Sequence, residues 1–290
     1  MSVVIQAVVA AGAPALLAGV LWLLGGCLAP LTPYRWLLSP LAVGAGYVLA
    51  HILIVGAPSF PPADATHWLP YFALVGLVLG WLAEVPRDYR WLWSALTLLL
   101  LGWLMTLGLK PLIQSGYWQP TTGVTIIVAL TLATWLLMVL GAPSGEVEQD
   151  AGLPFLLATL GGLSAGLIFY NKSASLGQLA GSLGATIGIG VPLGWLLREF
   201  RLGRGAVSLA LMLMAFLWAM AYGYAELPTY ALALLYVAGA SLALSRWQWL
   251  ASWHPIGRFA LRLALLLLIA GIPLWQSYQA YMASASEYPY

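Results

Sequence analysis

Charge is what this chain has least of. Only 7% of its 290 residues are Asp, Glu, Lys or Arg, against about a quarter in a soluble domain. A soluble fold of this size could not cover its surface with so few charges. With 62% of the residues hydrophobic, the apolar surface has to face lipid. The net charge of +2 gives no field for nucleic acid or a strongly acidic partner, so no nucleic-acid partner is expected. The basic residues also form no run of the kind that holds anionic lipid.

Cysteine is nearly absent. The single Cys27 excludes an intrachain disulfide and leaves the redox compartment unreadable. Leu24-Gly25-Gly26-Cys27 looks like a lipoprotein cleavage box, but no Lys or Arg precedes it to make a basic leader. Cys27 reads better as a small apolar helix residue. Histidine occurs at His51, His67 and His254 alone. No two share a helix at heme-bridging spacing, and there is no HExxH and no Cys cluster, so no metal, heme or other cofactor is expected.

Carboxylates are missing from mid-span positions: Glu84, Glu199 and Glu226 fall at the ends of apolar runs. That argues against a proton- or sodium-driven carrier built on a buried carboxylate. Asp64 and Asp88 do not form the paired Asp-rich motifs of membrane prenyltransferases. Gly141-Ala142-Pro143-Ser144-Gly145 has a Ser without the Gly-x-Ser-x-Gly register. No catalytic residue is assigned, and the balance is against an enzyme.

What is present is a series of apolar runs, and about 20 mostly apolar residues cross a bilayer. Ten runs qualify, near 5–28, 36–56, 68–83, 91–109, 122–140, 153–170, 176–197, 206–224, 227–244 and 259–275. The third and ninth are short, which leaves eight or nine spans open. Connections are brief and rich in Pro and Gly. The expected fold is therefore an all-α polytopic membrane bundle of about ten transmembrane helices, one domain over 1–290.

The cations test this count. With ten spans, Arg35, Arg87, Arg90, Arg198, Arg201, Arg204, Arg246, Arg258 and Arg262 share one face, and only Lys110 and Lys172 lie opposite. The positive-inside rule then places the Arg face in the cytoplasm and both termini outside, with the bacterial cytoplasmic (inner) membrane as the expected location. The run from Arg198 to Arg204 reads as a topology anchor, or as a cytoplasmic docking patch. Trp36, Trp68, Trp91, Trp93, Trp118, Trp195, Trp247, Trp249 and Trp275 lie near proposed ends, as an aromatic belt would. Trp22, Trp103, Trp135 and Trp218 sit deeper and read as packing or site residues.

Ala11-Gly12-Ala13-Pro14-Ala15-Leu16-Leu17-Ala18 resembles Ala151-Gly152-Leu153-Pro154-Phe155-Leu156-Leu157-Ala158. Each opens a five-helix half, 1–145 and 146–290. Halves with an odd helix number have opposite orientation, so a 5+5 inverted repeat is one layout the sequence allows. Chance matches are common in a chain so rich in Ala and Leu.

The most informative local feature is Tyr170-Asn171-Lys172-Ser173-Ala174-Ser175-Leu176-Gly177-Gln178, a polar turn between the sixth and seventh runs. It is too short for a loop held far from the membrane. One reading makes Lys172 a cation for a carboxylate, phosphate or carbonyl, with Tyr170, Asn171, Ser173, Ser175 and Gln178 around it. The other makes it a Lys snorkelling at the interface. Ser173 or Ser175 would cap the seventh helix. The sequon Asn171-Lys172-Ser173 lies too close to the membrane to be glycosylated.

Lys110 is the second outer cation. If it converges with Lys172, an anion site follows; if not, both are interfacial. Glu226 or Asp64 could neutralise either. Gly177, Gly181, Gly184, Gly188, Gly190 and Gly194 have the small-xxx-small spacing that lets helices touch, and Gly161, Gly162 and Gly166 extend it to the preceding run. Tight helix packing is their expected role.

Two functions stay open. The first is a carrier or channel for a small anionic or zwitterionic solute, expected to show a polar cavity near mid-bilayer lined by the sixth and seventh helices. The second is a non-catalytic integral subunit of a larger membrane complex, expected to show a filled core and small residues on an outward face. A membrane enzyme acting on a lipid-linked substrate is a third. Expected partners are the lipid bilayer, membrane proteins or further copies of the chain.

Overall fold

A computed structural model describes residues 3–28, 35–84, 90–147, 151–197, 200–247, 250 and 252–287. Of the features above, Arg87, Asp88, Arg198, Glu199 and Trp249 lie outside the described residues. The elements are α1 (Val3–Leu28), α2 (Arg35–Ile54), α3 (Leu69–Ala83), α4 (Arg90–Gln114), α5 (Pro120–Gly141), α6 (Ser144–Val147), α7 (Gly152–Tyr170), α8 (Ala174–Gly188), α9 (Gly190–Leu196), α10 (Gly203–Tyr224), α11 (Thr229–Ala240) and α12 (Pro255–Glu287). A 3-10 turn, Thr66–Trp68, leads into α3, and another, Ser241–Arg246, prolongs α11.

Among the described residues there is no strand, and nine helices are long and apolar enough to cross a membrane. The ninth apolar run of the sequence is a shorter helical stretch, Thr229–Ser245. The chain is an all-α polytopic integral membrane protein. Lipid offers no hydrogen bonds to the backbone, so each spanning segment satisfies its own N–H and C=O groups as a helix. The seventh run is broken at Ile189, between α8 and α9. Pro192 explains the break: it has no N–H, and its ring crowds the carbonyl four residues back, at Gly188.

α10 is the centre. Of its apolar window 94% is buried, against 17% for α12 at the periphery. Every residue from Arg204 to Ala221 is buried, including Met212, Met214, Phe216 and Trp218. α2, α3, α5 and α8 pack around it. Its N-terminal end is anchored by polar contacts: the Gly205 N–H donates to Glu84 Oε1 at 2.7 Å, and the Arg204 guanidinium lies 5.7 Å from the Trp93 ring centre. Next to it, Trp22 Nε1 donates to Ser39 Oγ at 3.0 Å, and Ser39 donates to the Leu202 carbonyl. Trp22 and Trp218 are buried, whereas Trp103, expected to pack or line a site, is 56% exposed on α4.

Some helix contacts join elements of equal rank in the division at 145/146, and others do not. α2 meets α8, and α3 meets α10, which are elements of equal rank in the two halves. The α7–α12 contact has no counterpart of similar extent between α1 and α5.

α7 and α8 form the tightest pair, and its seam is made of backbone. A Cβ built on Gly161 would stand 2.7 Å from the Gly184 Cα, and one on Gly184 would stand 3.0 Å from the Ala158 carbonyl oxygen. Gly177 and Gly194 face Ala165 and Ala151 as closely. Gly181, Gly188 and Gly190 have more room, at 3.4, 3.3 and 3.1 Å from their nearest neighbours. Gly162 points the other way, with nothing within 4 Å. Gly161→Val is expected to destabilise by about 1–3 kcal/mol, the cost of overpacking, while Gly162→Val leaves stability within about 0.5 kcal/mol, as at a surface position. Thermal unfolding in detergent compares the two, and equal loss would contradict this packing.

Candidate functional site

The turn between α7 and α8 is closed by a specific motif. The Ser173 N–H reaches back to the Ile168 carbonyl at 3.3 Å, and Lys172 takes the left-handed backbone with φ of 69°. This is a Schellman ending with Lys where Gly is usual. Ser173 then caps α8, its Oγ accepting from the Leu176 N–H at 3.4 Å. Ser175 is exposed and does not cap.

The end of α10 has a related form. The Leu227 N–H bonds the Ala221 carbonyl at 3.2 Å, and Glu226 is left-handed with φ of 54°. Lys172 and Glu226 are the two left-handed non-glycine residues described, and they face each other. Lys172 Nζ donates to Glu226 Oε2 at 2.6 Å. The pair spans a cleft of about 300 Å³ lined also by Tyr170, Asn171, Ser277 and Tyr281.

α12 supplies the far wall. Its 33 residues extend roughly 50 Å, well beyond a hydrocarbon layer of about 30 Å. Asn171 Nδ2 donates to Ser277 Oγ at 2.9 Å and to the Leu167 carbonyl at 2.7 Å. The Tyr170 ring lies 5.4 Å from both Tyr278 and Tyr281, centre to centre. Of the residues singled out in the sequence, Tyr170, Asn171, Lys172 and Glu226 line the cleft. Lys110 is exposed on α4 and is not among the lining residues. The cation in the cleft therefore stands with a carboxylate rather than with a second lysine.

Gln178 faces elsewhere. With Ala10, Ala11, Ala165, Gly166 and Gly181 it lines a second groove, of about 390 Å³, between α1, α7 and α8. Farther along the same pair, Gly161 and Gly184 bring α7 and α8 together backbone to backbone.

A further polar cluster occupies the segment before α3. Asp64 Oδ1 accepts from the Thr66 and His67 N–H groups at 2.8 and 3.0 Å and from the Thr66 hydroxyl at 2.6 Å. Burial pushes the Asp64 carboxyl up, but the Thr66 hydroxyl, the His67 and Thr66 amides and the nearby His67 ring together outweigh it and hold it below its usual value. His67 Nδ1 lies 3.0 Å from Ser59 Oγ, and His51 stacks edge-on to His67 at 6.1 Å between centres. The sequence shows these residues on one side of the membrane, but nothing in it assembles them. Ser277 and Tyr281 are equally out of reach, the recurrence of Tyr and Ser from Gln276 to Ser284 past the last apolar run being their one sign, while the sequence offers Glu226 only as an alternative to Asp64.

Three measurements check this description. The side chains of Lys172 and Glu226 are 75% and 66% exposed, so a double-mutant cycle with Lys172→Met and Glu226→Gln is expected to give coupling below about 1 kcal/mol, weaker in high salt. Lys172→Gly is expected to be more stable than Lys172→Val, because a β-branched side chain is strained in the left-handed region; the reverse order would contradict the turn. For Asp64 the carboxyl is lowered on folding, so its contribution is present above the ordinary carboxylate range and is lost as pH falls through the lowered value. Protection of the Thr66 and His67 amides, measured as exchange relative to the intrinsic rate at each pH, should fall there, and should already be lost in Asp64→Ala at neutral pH.

No protein-family model, curated protein or solved structure matches the chain, so the functional reading rests on this geometry.

Proposed function

We propose that the chain is an integral membrane carrier or channel for a small zwitterionic solute, recognised in the cleft between Lys172 and Glu226. The observation that carries this is the coincidence of strain and charge. A left-handed non-glycine residue costs about 1–2 kcal/mol, and two are present. An exposed ion pair returns about 0–1 kcal/mol, too little to offset both. Strain that local stability does not explain is characteristic of binding sites. An ammonium and a carboxylate side by side match a ligand carrying the opposite charges in the same order. The cleft volume is at the lower end for small-molecule sites, and the tyrosines offer apolar walls with polar tips.

In the orientation given by the positive-inside rule the cleft faces outward, both termini are outside, and the membrane is the bacterial cytoplasmic one. The Arg-bearing end of α10 lies opposite.

A second reading has its own support. The closed α7–α8 seam and the filled surroundings of α10 suit an integral subunit of a larger membrane assembly. The groove of Ala10, Ala11, Ala165, Gly166 and Gly181 would take a transmembrane helix of a partner or of a second copy, since small residues let backbones approach.

Binding to purified protein in nanodiscs separates the two. Zwitterionic amino acids and betaines are expected to bind, with simple anions and cations much weaker. Lys172→Gln or Glu226→Gln should each weaken binding roughly ten- to hundredfold, the loss of one charge-assisted hydrogen bond of about 1.5–3 kcal/mol. Absence of zwitterion binding, together with a membrane protein that co-purifies with the wild type and is lost from Ala165→Leu, would replace the first reading with the second.

A further inference from the structure

His51 lies inside a spanning helix, in the last turn of α2. It is fully buried, and neither ring nitrogen has a hydrogen-bond partner among the described residues. A neutral imidazole presents one donor and one acceptor, and leaving both unmet in a protein interior is costly. Tyr47, one turn earlier and on the same face, is also fully buried with an unpartnered hydroxyl.

These two groups define a direction. Helix side chains lean toward the N terminus of their helix, so Tyr47 continues inward from His51. It stands seven residues before Ile54, the end of α2, about 10 Å below that end. Its hydroxyl therefore reaches toward the middle of an apolar layer of about 30 Å.

Toward the surface the track continues through His67. The Ser59 N–H donates to His67 Nδ1 at 3.4 Å. Ser59 Oγ already accepts from the Ala63 N–H at 3.1 Å, which leaves its own hydrogen for the same nitrogen at 3.0 Å. Nδ1 is thus an acceptor, and the neutral ring carries its proton on Nε2, 4.0 Å from Asp64 Oδ2. Asp64 is exposed, so the mouth of the track is an anion in contact with solvent.

We propose that Asp64, His67, His51 and Tyr47 form a hydrated proton-entry path from the Lys172 end to the middle of the bundle, with His51 as its buried site for water and protons. A hydronium ion at the mouth passes its proton along water beside His67. The last water gives that proton to the free nitrogen of His51, which becomes imidazolium while the water stays neutral. The return follows the same route.

The titratable side chains at this end of the elements packed around the path are few. Asp64, His67 and Tyr71 come from the segment before α3 and its first turn, Tyr47 from α2, and Tyr222 and Tyr224 from the end of α10. Lys110 comes from α4, which meets the Thr66–Trp68 turn. α1 and α8 also pack on α2 and contain no Asp, Glu, His, Lys, Arg or Tyr. The path does not depend on the solute cleft.

The chain's three histidines make the site readable in full-length protein in nanodiscs labelled with nitrogen-15 histidine, with His→Gln variants assigning each signal. The His51 ring is expected to exchange with water and to change its signal with bulk pH. His67→Phe should slow the exchange about a hundredfold, the lower range for removing a positioned proton-transfer group. Should that variant fold poorly, Ser59→Ala is the second arm: it removes the hydroxyl from Nδ1 and leaves only the longer contact from the residue 59 N–H, and the His51 exchange rate should change while the fold is kept. A His51 ring that shows neither water exchange nor a pH response overturns the proposal. So does an exchange rate untouched by both variants, which would place the entrance elsewhere. The measurement needs no solute, so failure of zwitterion binding and failure of this path are separate results.

Discussion

Backbone-to-backbone contact at glycine is the constraint on which this bundle depends. Lipid tails are as apolar as leucine, so spanning helices gain little from hiding apolar side chains from lipid, and close packing has to supply the attraction. Gly161 against Gly184 brings α7 onto α8, and Gly80 against Gly205 brings α3 onto the start of α10. With those approaches made, the large side chains of α10 can interdigitate with α2, α3 and α5, and polar groups can be spent at the ends. Glu84 and Ser39 then fix the start of α10 without placing an unpaired charge in the apolar layer.

The two ends of the bundle differ in how they use polarity. At the Arg204 end the polar side chains satisfy helix termini and carbonyls, as Arg262 does in donating to the Leu242 carbonyl at 3.0 Å. At the Lys172 end lie an exposed ion pair between two left-handed residues and a buried histidine whose ring nitrogens have no hydrogen-bond partner among the described residues.

Much of this was legible in the sequence for a physical reason. Span length and apolarity are set by the bilayer, so the apolar runs mark the helices, and the short ninth run is the short α11 with its 3-10 extension. Glycine spacing on a helix is local information, so the face that meets α7 could be read from Gly177, Gly184 and their neighbours. The pairing of Lys172 could not. Glu226 lies 54 residues away, and choosing it over Asp64 requires the packing of α10 beside α7. The same holds for His51 and His67, which are close in sequence but meet only because the segment between them folds back over the end of α2. The break at Ile189 was written in Pro192, yet a run of hydropathy passes over it.

The position of α10 also bears on how the protein is made. Synthesis proceeds from the N terminus, and segments reach the membrane in that order. The helix at the centre arrives after α2, α3, α5 and α8, which pack around it. Those helices cannot reach their final packing until the eighth span is delivered between them, and the concave surface that receives it must stay open until then. Assembly of this bundle is therefore completed from the inside, late, by a helix that has no face of its own toward lipid.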